Sequence, residues 1–257
     1  MSRPKKALGQ HFLNDPGILR RIADALDPEP GETVLEIGPG PGGLTAQLAT
    51  RGLHLIAIER DRDLVPGLRA RFPAVEIVEA DALEEDWHRL AGGPFAVIGN
   101  IPYNITSPLI DQALRPPRPR RIVFLVQKEV ADRIAAAPGG KEYGALTVGV
   151  QSVATVERLF KVPAGAFHPP PKVDSAVIRM TPRQPPLVRN DEVAAFRRFV
   201  VGLFGFRRKQ LARAVRELTG WDAARAVRSV VGAGLTPTSR METIAPEGFV
   251  ALFRQGG

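Results

Sequence analysis

Thr33-Val-Leu-Glu-Ile-Gly-Pro-Gly-Pro-Gly-Gly43 decides the fold. Thr33 to Ile37 has the composition of a buried strand, and the glycines end it. Leu44 to Arg51, directly after them, has helical spacing. Strand, glycine turn and helix in that order make the first half of a βαβ unit. Such a turn lets the backbone approach a ligand closely and leaves helix amides free to donate. Gly38, Gly40 and Gly43 satisfy G-x-G-x-x-G, which nicotinamide enzymes also carry, so the loop alone names no cofactor.

Working outward, Leu53 to Glu59 is the next strand, and it ends on a carboxylate 21 residues after Gly38. A carboxylate there accepts hydrogen bonds from both hydroxyls of a nucleoside ribose. A helix from Asp63 to Phe72 and a short strand from Val75 to Val78 follow. Asp81 comes next, placed to accept from a cofactor's adenine amino group or to cap the turn behind it. Phe95 to Gly99 and Arg121 to Val126 read as further strands, and Ser107 to Leu114 and Lys128 to Ala137 as helices. Thr155 to Val162 and Ser175 to Met180 close the series as a terminal pair. The alternation predicts an α/β, Rossmann-like fold, a mostly parallel seven-stranded sheet with helices on both faces. Glu36, just before the glycines, suits a cationic ligand group better than a diphosphate. That leans toward S-adenosylmethionine over a dinucleotide.

Pro182 to Pro186 is the expected boundary between a catalytic domain, residues 1–182, and a small all-α domain, residues 187–257. Beyond the break, Asp191 is expected to cap a helix carrying Val193, Phe196, Val200 and Leu203. Lys209 to Leu218, Asp222 to Val231 and Pro246 to Phe253 read as three more helices. The chain of 257 residues carries a net charge of +8, and residues 183–257 account for +7 of it. Arg207, Arg208, Lys209 and Arg213 lie in that region among Phe196, Phe199, Phe204 and Phe206. Such a pattern fits an RNA surface, or a solvated face over a phenylalanine core. The absence of cysteine excludes disulfides, zinc-thiolate sites and cysteine nucleophiles. The four histidines show no metal-ligand spacing, so no metal is expected. No apolar run approaches the length of a membrane span, and the basic start lacks the apolar core of a secretory signal. A cytoplasmic, monomeric protein is expected.

Gly99-Asn-Ile-Pro-Tyr-Asn104 follows the fourth strand, at the sheet edge where open parallel sheets bind ligands. It suits methylation of an aromatic amine, whose lone pair is delocalised into the ring. The Asn100 side-chain oxygen and the Ile101 carbonyl are acceptors for the amine hydrogens. Pro102 stiffens the turn, and Tyr103 offers a ring to an extruded base. Transfer then needs mainly positioning, without a strong base.

Taken together, these stretches resemble the ribosomal RNA adenine N(6)-dimethyltransferase family, and most closely its small-subunit (16S) members. The resemblance covers nearly the whole chain. It rests on Gly9 to Asn14, Glu36 to Gly42, Asn100 to Tyr103, Gln127 to Glu129, Lys141 to Gly144, Phe167-His-Pro-Pro-Pro-Lys-Val-Asp-Ser175 and Phe206 to Leu211. It implies a class I methyltransferase that uses S-adenosyl-L-methionine. It also implies dimethylation of two adjacent adenosines in a hairpin loop near the 3′ end of 16S rRNA, within a small ribosomal subunit or its precursor. Cofactor contacts would fall on His11, Leu13, Gly38, Gly40, Glu59, Asp81, Ala82 and Asn100. The family varies at the position of His11, which favours a backbone contact there. Phe167 would be a second stacking surface opposite Tyr103. Arg207, Arg208, Lys209 and Arg213 would dock the RNA. The related large-subunit (23S) enzyme of macrolide resistance shares the catalytic loop. A ribosome-assembly factor with incidental activity would keep the fold. A nicotinamide dehydrogenase would leave the tetrapeptide, the triple proline and the basic region unused.

Overall fold

The computed structural model describes residues 10–256, so Gly9 and the basic start lie outside the described residues. In chain order the elements are β1 (Phe12–Leu13), α1 (Pro16–Leu26), β2 (Thr33–Ile37), α2 (Gly43–Leu48), β3 (His54–Glu59), α3 (Val65–Arg71), β4 (Glu76–Glu79), α4 (Trp87–Ala91) and β5 (Phe95–Asn100). Next come α5 (Thr106–Ala113), β6 (Ile122–Gln127), α6 (Lys128–Ile134), α7 (Ala145–Gln151), β7 (Ala154–Val162), β8 (Phe167–His168) and β9 (Ser175–Pro182). The chain ends with α8 (Val193–Gly205), α9 (Leu211–Thr219), α10 (Ala223–Gly232) and α11 (Pro246–Arg254).

Seven strands form one sheet in the order β4-β3-β2-β5-β6-β9-β7, and β1 pairs with β8 in a separate two-stranded ribbon. β4, β3, β2, β5 and β6 are mutually parallel, and β9 runs antiparallel to β6. The chain leaves β2 toward β3 and β4, then returns to β5 on the other side of β2. That reversal opens a crevice at the carboxyl ends of β2 and β5, the place where such sheets bind ligands. β2, β5 and β6 are buried along almost their whole length, which explains their unbroken apolar sequences. Val34, Ala57, Ile98 and Val123 pack with Leu19, Ile22 and Leu26 of α1 and Leu44 and Leu48 of α2 in one core.

The chain divides into two compact units. One holds residues 1–131 and 157–182, the other residues 132–156 and 183–257. The expected break at Pro182 coincides with the last of these junctions, but residues 132–156 were expected in the first domain and belong to the second unit. The cause is burial: Tyr143 and Val148 join Phe196, Val200, Leu203, Val215, Val230 and Phe249 in the second unit's core. Tyr143 also donates from its hydroxyl to the Ile244 carbonyl at 2.7 Å.

Several elements differ from the sequence expectation. α1 was not anticipated, although Asp15 caps it by accepting from the Ile18 amide at 2.9 Å and Pro16 starts it. Asp191 does not cap α8. Glu192 holds that position without a side-chain bond, and Asp191 pairs with Arg189 at 3.3 Å. α9 begins at Leu211, not Lys209. Asp222 does cap α10, accepting from the Arg225 amide at 2.7 Å.

Candidate active site

One cavity at the carboxyl end of the sheet brings together the glycine loop, the ends of β3 and β5, the turn after β4 and the β1 ribbon. His11, Leu13, Gly38, Gly40, Glu59, Asp81, Ala82, Asn100, Ile101, Pro102 and Tyr103 all line it. Register explains the convergence. Ile37, the last residue of β2, is paired with Ile58 on one side and Gly99 on the other. The residues that follow each strand therefore emerge side by side.

Gly38 and Gly40 adopt φ of 67° and 57°, a conformation that glycine takes without penalty. The Gly38 amide donates to Ile58 at 3.0 Å, the Gly42 amide to Pro39 at 2.9 Å and the Gly40 amide to the Glu59 side chain at 2.9 Å. These amides belong to the turn ahead of α2 and are engaged within the protein. What this part of the loop gives a ligand is close approach.

Glu59 is buried, with its Oε1 accepting from the Asp61 amide at 2.7 Å and its Oε2 from Gly40. Burial pushes its carboxyl up, and the two amides pull it back. A carboxylate has about four lone-pair sites, so both oxygens retain acceptor capacity for a ribose. Asp81 fills two local roles. Its Oδ1 accepts from the Leu83 amide at 3.0 Å, and its Oδ2 pairs with Arg60 at 3.1 Å. The Ala82 carbonyl accepts from the Trp87 indole at 2.8 Å, which fixes this turn against the sheet.

Glu36 has the least usual surroundings. It is 1% exposed, and neither of its oxygens, nor the neighbouring Thr45 hydroxyl, has a hydrogen-bond partner among the described residues. Burial pushes its carboxyl up to about 8, with Thr45 opposing and Glu59 adding to the rise. A buried carboxyl on a cavity wall, with the Thr45 hydroxyl and amide near it but outside hydrogen-bond geometry, suits a cationic ligand group. S-adenosylmethionine carries an ammonium and a sulfonium, so the residues present fit it.

Asn100 ends β5. Its Nδ2 donates to the His11 carbonyl at 3.0 Å, which leaves Oδ1 as the open acceptor of the amide. The turn beyond closes through the Pro102 carbonyl, which accepts from the Ile105 amide and the Thr106 hydroxyl, both at 3.2 Å. The Ile101 carbonyl is not used for that closure. Tyr103 is half-buried, and its hydroxyl shares a hydrogen bond of 2.7 Å with Ser175 at the start of β9. Burial pushes the Tyr103 phenol up. Its ring stacks on His11, with centroids 5.6 Å apart and an interplanar angle of 28°.

Phe167 departs from expectation. It is 4% exposed, paired with Leu13 across the β1–β8 ribbon, and packed in the core of the first unit. It does not line the cavity, and the ring lying on Tyr103 is that of His11. Nothing in the order of residues signals this exchange, because Phe167 is placed by its pairing with Leu13 and His11, just before β1, by its bond to Pro169, both contacts across more than 150 residues of chain. Ser175 escaped sequence reasoning as well, since it meets Tyr103 across 72 residues of chain.

In the second unit Arg207, Arg208 and Arg213 are exposed, whereas Lys209 is partly covered. Lys209 pairs with Glu217 at 3.0 Å and lies over the Phe206 ring, and Arg207 donates to the Lys141 carbonyl. Phe196 is fully buried, and Phe199, Phe204 and Phe206 pack against the same core. No helix among the described residues is long and apolar enough to cross a membrane.

A model of the family described as ribosomal RNA adenine dimethylase matches residues 1–255. The ribosomal RNA small subunit methyltransferase A of Acidithiobacillus ferrooxidans is 42% identical over 257 residues, covering 98% of this chain and 94% of that one. Its counterpart in Myxococcus xanthus is 41% identical, covering 99% and 92%. A solved dimethyladenosine transferase from Plasmodium falciparum superposes with a TM-score of 0.81 at 26% identity, over 96% of this chain and 98% of that one. The 23S rRNA methyltransferase ErmE superposes with a TM-score of 0.76 at 30% identity, over 95% and 98%. With the match running essentially from end to end, the chain belongs to the ribosomal RNA adenine dimethylase family.

Proposed function

We propose that this enzyme dimethylates the exocyclic amino groups of two adjacent adenosines in a hairpin loop near the 3′ end of small-subunit (16S) rRNA. It acts on the small ribosomal subunit or its precursor, in the cytoplasm and as a monomer. One observation carries the chemistry. The Asn100 amide is oriented by the His11 carbonyl, so that its oxygen is the atom offered to the cavity beside Tyr103. The small-subunit relatives, more similar in sequence than the 23S enzyme, favour the small-subunit substrate.

S-adenosyl-L-methionine supplies the electrophilic methyl group when bound. Glu36 offers its carboxylate to the cationic end of the cofactor, and Glu59 receives the ribose hydroxyls. Asp81 and Ala82 border the adenine end. Asn100 Oδ1 and the Ile101 carbonyl accept from the amine of the target base, favouring a pyramidal nitrogen whose lone pair points away from the ring. Tyr103 holds the base plane. No protein base takes a proton before transfer; the proton leaves the methylated nitrogen afterwards, to water. One acceptor suffices for a monomethylated amine, so the same residues serve both rounds. Exposed Arg208 and Arg213, with Arg207 and Lys209, hold RNA phosphates.

Mass spectrometry of rRNA after incubation of unmethylated small- and large-subunit particles tests this reading. Dimethyladenosine at two adjacent small-subunit positions is expected, and Asn100→Ala should lower turnover by about 10²-fold or more. Methylation confined to large-subunit particles, or full turnover without Asn100, would reject it.

A further inference from the structure

His11 touches the catalytic loop twice. Its carbonyl receives the Asn100 amide at 3.0 Å, and its imidazole lies on the Tyr103 ring at 5.6 Å between centroids. One residue thus orients Asn100 through its backbone and covers a face of Tyr103 with its ring. It is held there by its Nδ1, 2.8 Å from the Pro169 carbonyl. A flat base between two rings needs about 3.5 Å on each side, about 7 Å in all. The observed 5.6 Å is too little, so base and imidazole cannot share this face with both rings where they are. Tyr103 is the fixed partner. Its hydroxyl is tied to Ser175, which is fully buried in β9, and Pro102 stiffens its turn. His11 is half-buried and precedes the two-residue strand β1.

We propose that the His11 imidazole is a placeholder for the target base, covering the stacking face of Tyr103 until an adenine displaces it. This rests on the proposed methylation of adenine. The placeholder sets a threshold: an entering base must out-compete a stacked ring. A purine, with its larger face, meets that threshold more readily than a pyrimidine. Departure of the imidazole also releases the Pro169 carbonyl, which links base entry to the loop at 168–171.

The test uses a hairpin RNA carrying 2-aminopurine at a target position, titrated with the full chain in the presence of S-adenosylhomocysteine. The same proteins are assayed for methyl transfer to unmethylated small-subunit particles. His11→Ala and His11→Asn both remove the ring, and the second keeps a polar group for Pro169. Each should quench 2-aminopurine at roughly three- to tenfold lower protein concentration than wild type. KM for the particle should fall by the same factor, and discrimination against a hairpin with a pyrimidine at that position should narrow. His11→Phe keeps a ring on Tyr103 and should show no tightening. Wild-type protein that methylates small-subunit particles, while both ringless variants bind no tighter, would overturn the placeholder alone. Wild-type protein that transfers no methyl group to them would overturn the proposed function and this inference with it.

Discussion

Glu36 imposes a cost on the ligand-free protein that depends on pH. Below its ordinary value of 4.5 the carboxyl is neutral in folded and unfolded chains alike. Between 4.5 and about 8 the unfolded chain loses this proton and the folded one keeps it, so stability falls as pH rises through that window. Glu36→Gln should flatten the dependence, read from thermal midpoints between pH 5 and 8 without ligand. The variant should also bind S-adenosylhomocysteine more weakly. Wild-type binding at pH 7 should release a proton, visible in calorimetry across buffers of different ionisation enthalpy, and the variant should release none. Equal proton release by both proteins would remove Glu36 from the cationic subsite. At this scale the sequence was partly legible. The charge of Glu36 and the acceptors of Asn100 could be named from residue type and position. That the glycine-loop amides are engaged, that Phe167 is core and that Ser175 holds Tyr103 could not. Each depends on which way a side chain or amide turns after distant segments meet.

At the scale of elements, β2 and β5 approach too closely at Gly99 for a side chain there. A Cβ at Gly99 would lie 2.6 Å from the Ile37 carbonyl oxygen and 3.0 Å from Ile101 Cδ1. Ile37 leads directly into the cofactor loop, so the clash pushes on the site as well as on the sheet. Gly99→Ala should destabilise by about 1–3 kcal/mol in urea unfolding and weaken binding of S-adenosylhomocysteine. Gly67, within α3, is the contrasting case, because a Cβ there would meet nothing within 4 Å. Gly67→Ala should raise stability by up to about 1 kcal/mol and leave the cofactor affinity alone. The same sign for both substitutions would contradict the packing account. The central strands β2, β3, β5 and β6 were legible because burial on both faces leaves long apolar runs. The ribbon of β1 and β8 was not, since two-residue strands carry no periodicity. α1 could have been found from Asp15 and Pro16, which are a helix start in plain sight.

Over the whole molecule, charge and folding follow different boundaries. The Pro-rich break marks where the helical region begins, but the second unit also draws in residues 132–156. Their membership is set by Tyr143 and Val148 burying against α8 and α11, a long-range choice that local pattern does not encode. Charge is simpler, because residues 183–257 carry +7 of the net +8 however they fold. Acidic partners divide those cations. Glu217 engages Lys209 at 3.0 Å and lies 3.8 Å from both Arg213 and Arg216, and Arg189 and Arg254 share Glu192. Such exposed pairs are weak and screened, so an RNA phosphate competes for these cations at little expense. Each phosphate contact releases counterions and adds roughly 0.7–0.9 to the slope of log affinity against log salt. Replacing Arg207, Arg208 and Arg213 with alanine should therefore lower that slope by about 2 for small-subunit RNA. S-adenosylhomocysteine affinity, which depends on residues of the other unit, should not change. Replacing Glu217 with glutamine should act in the opposite sense, freeing cations and tightening RNA at low salt. A slope unaltered by the triple substitution, measured between roughly 50 and 200 mM salt where such contacts dominate, would take this surface out of the RNA interface and leave the positive charge of the second unit to some other purpose.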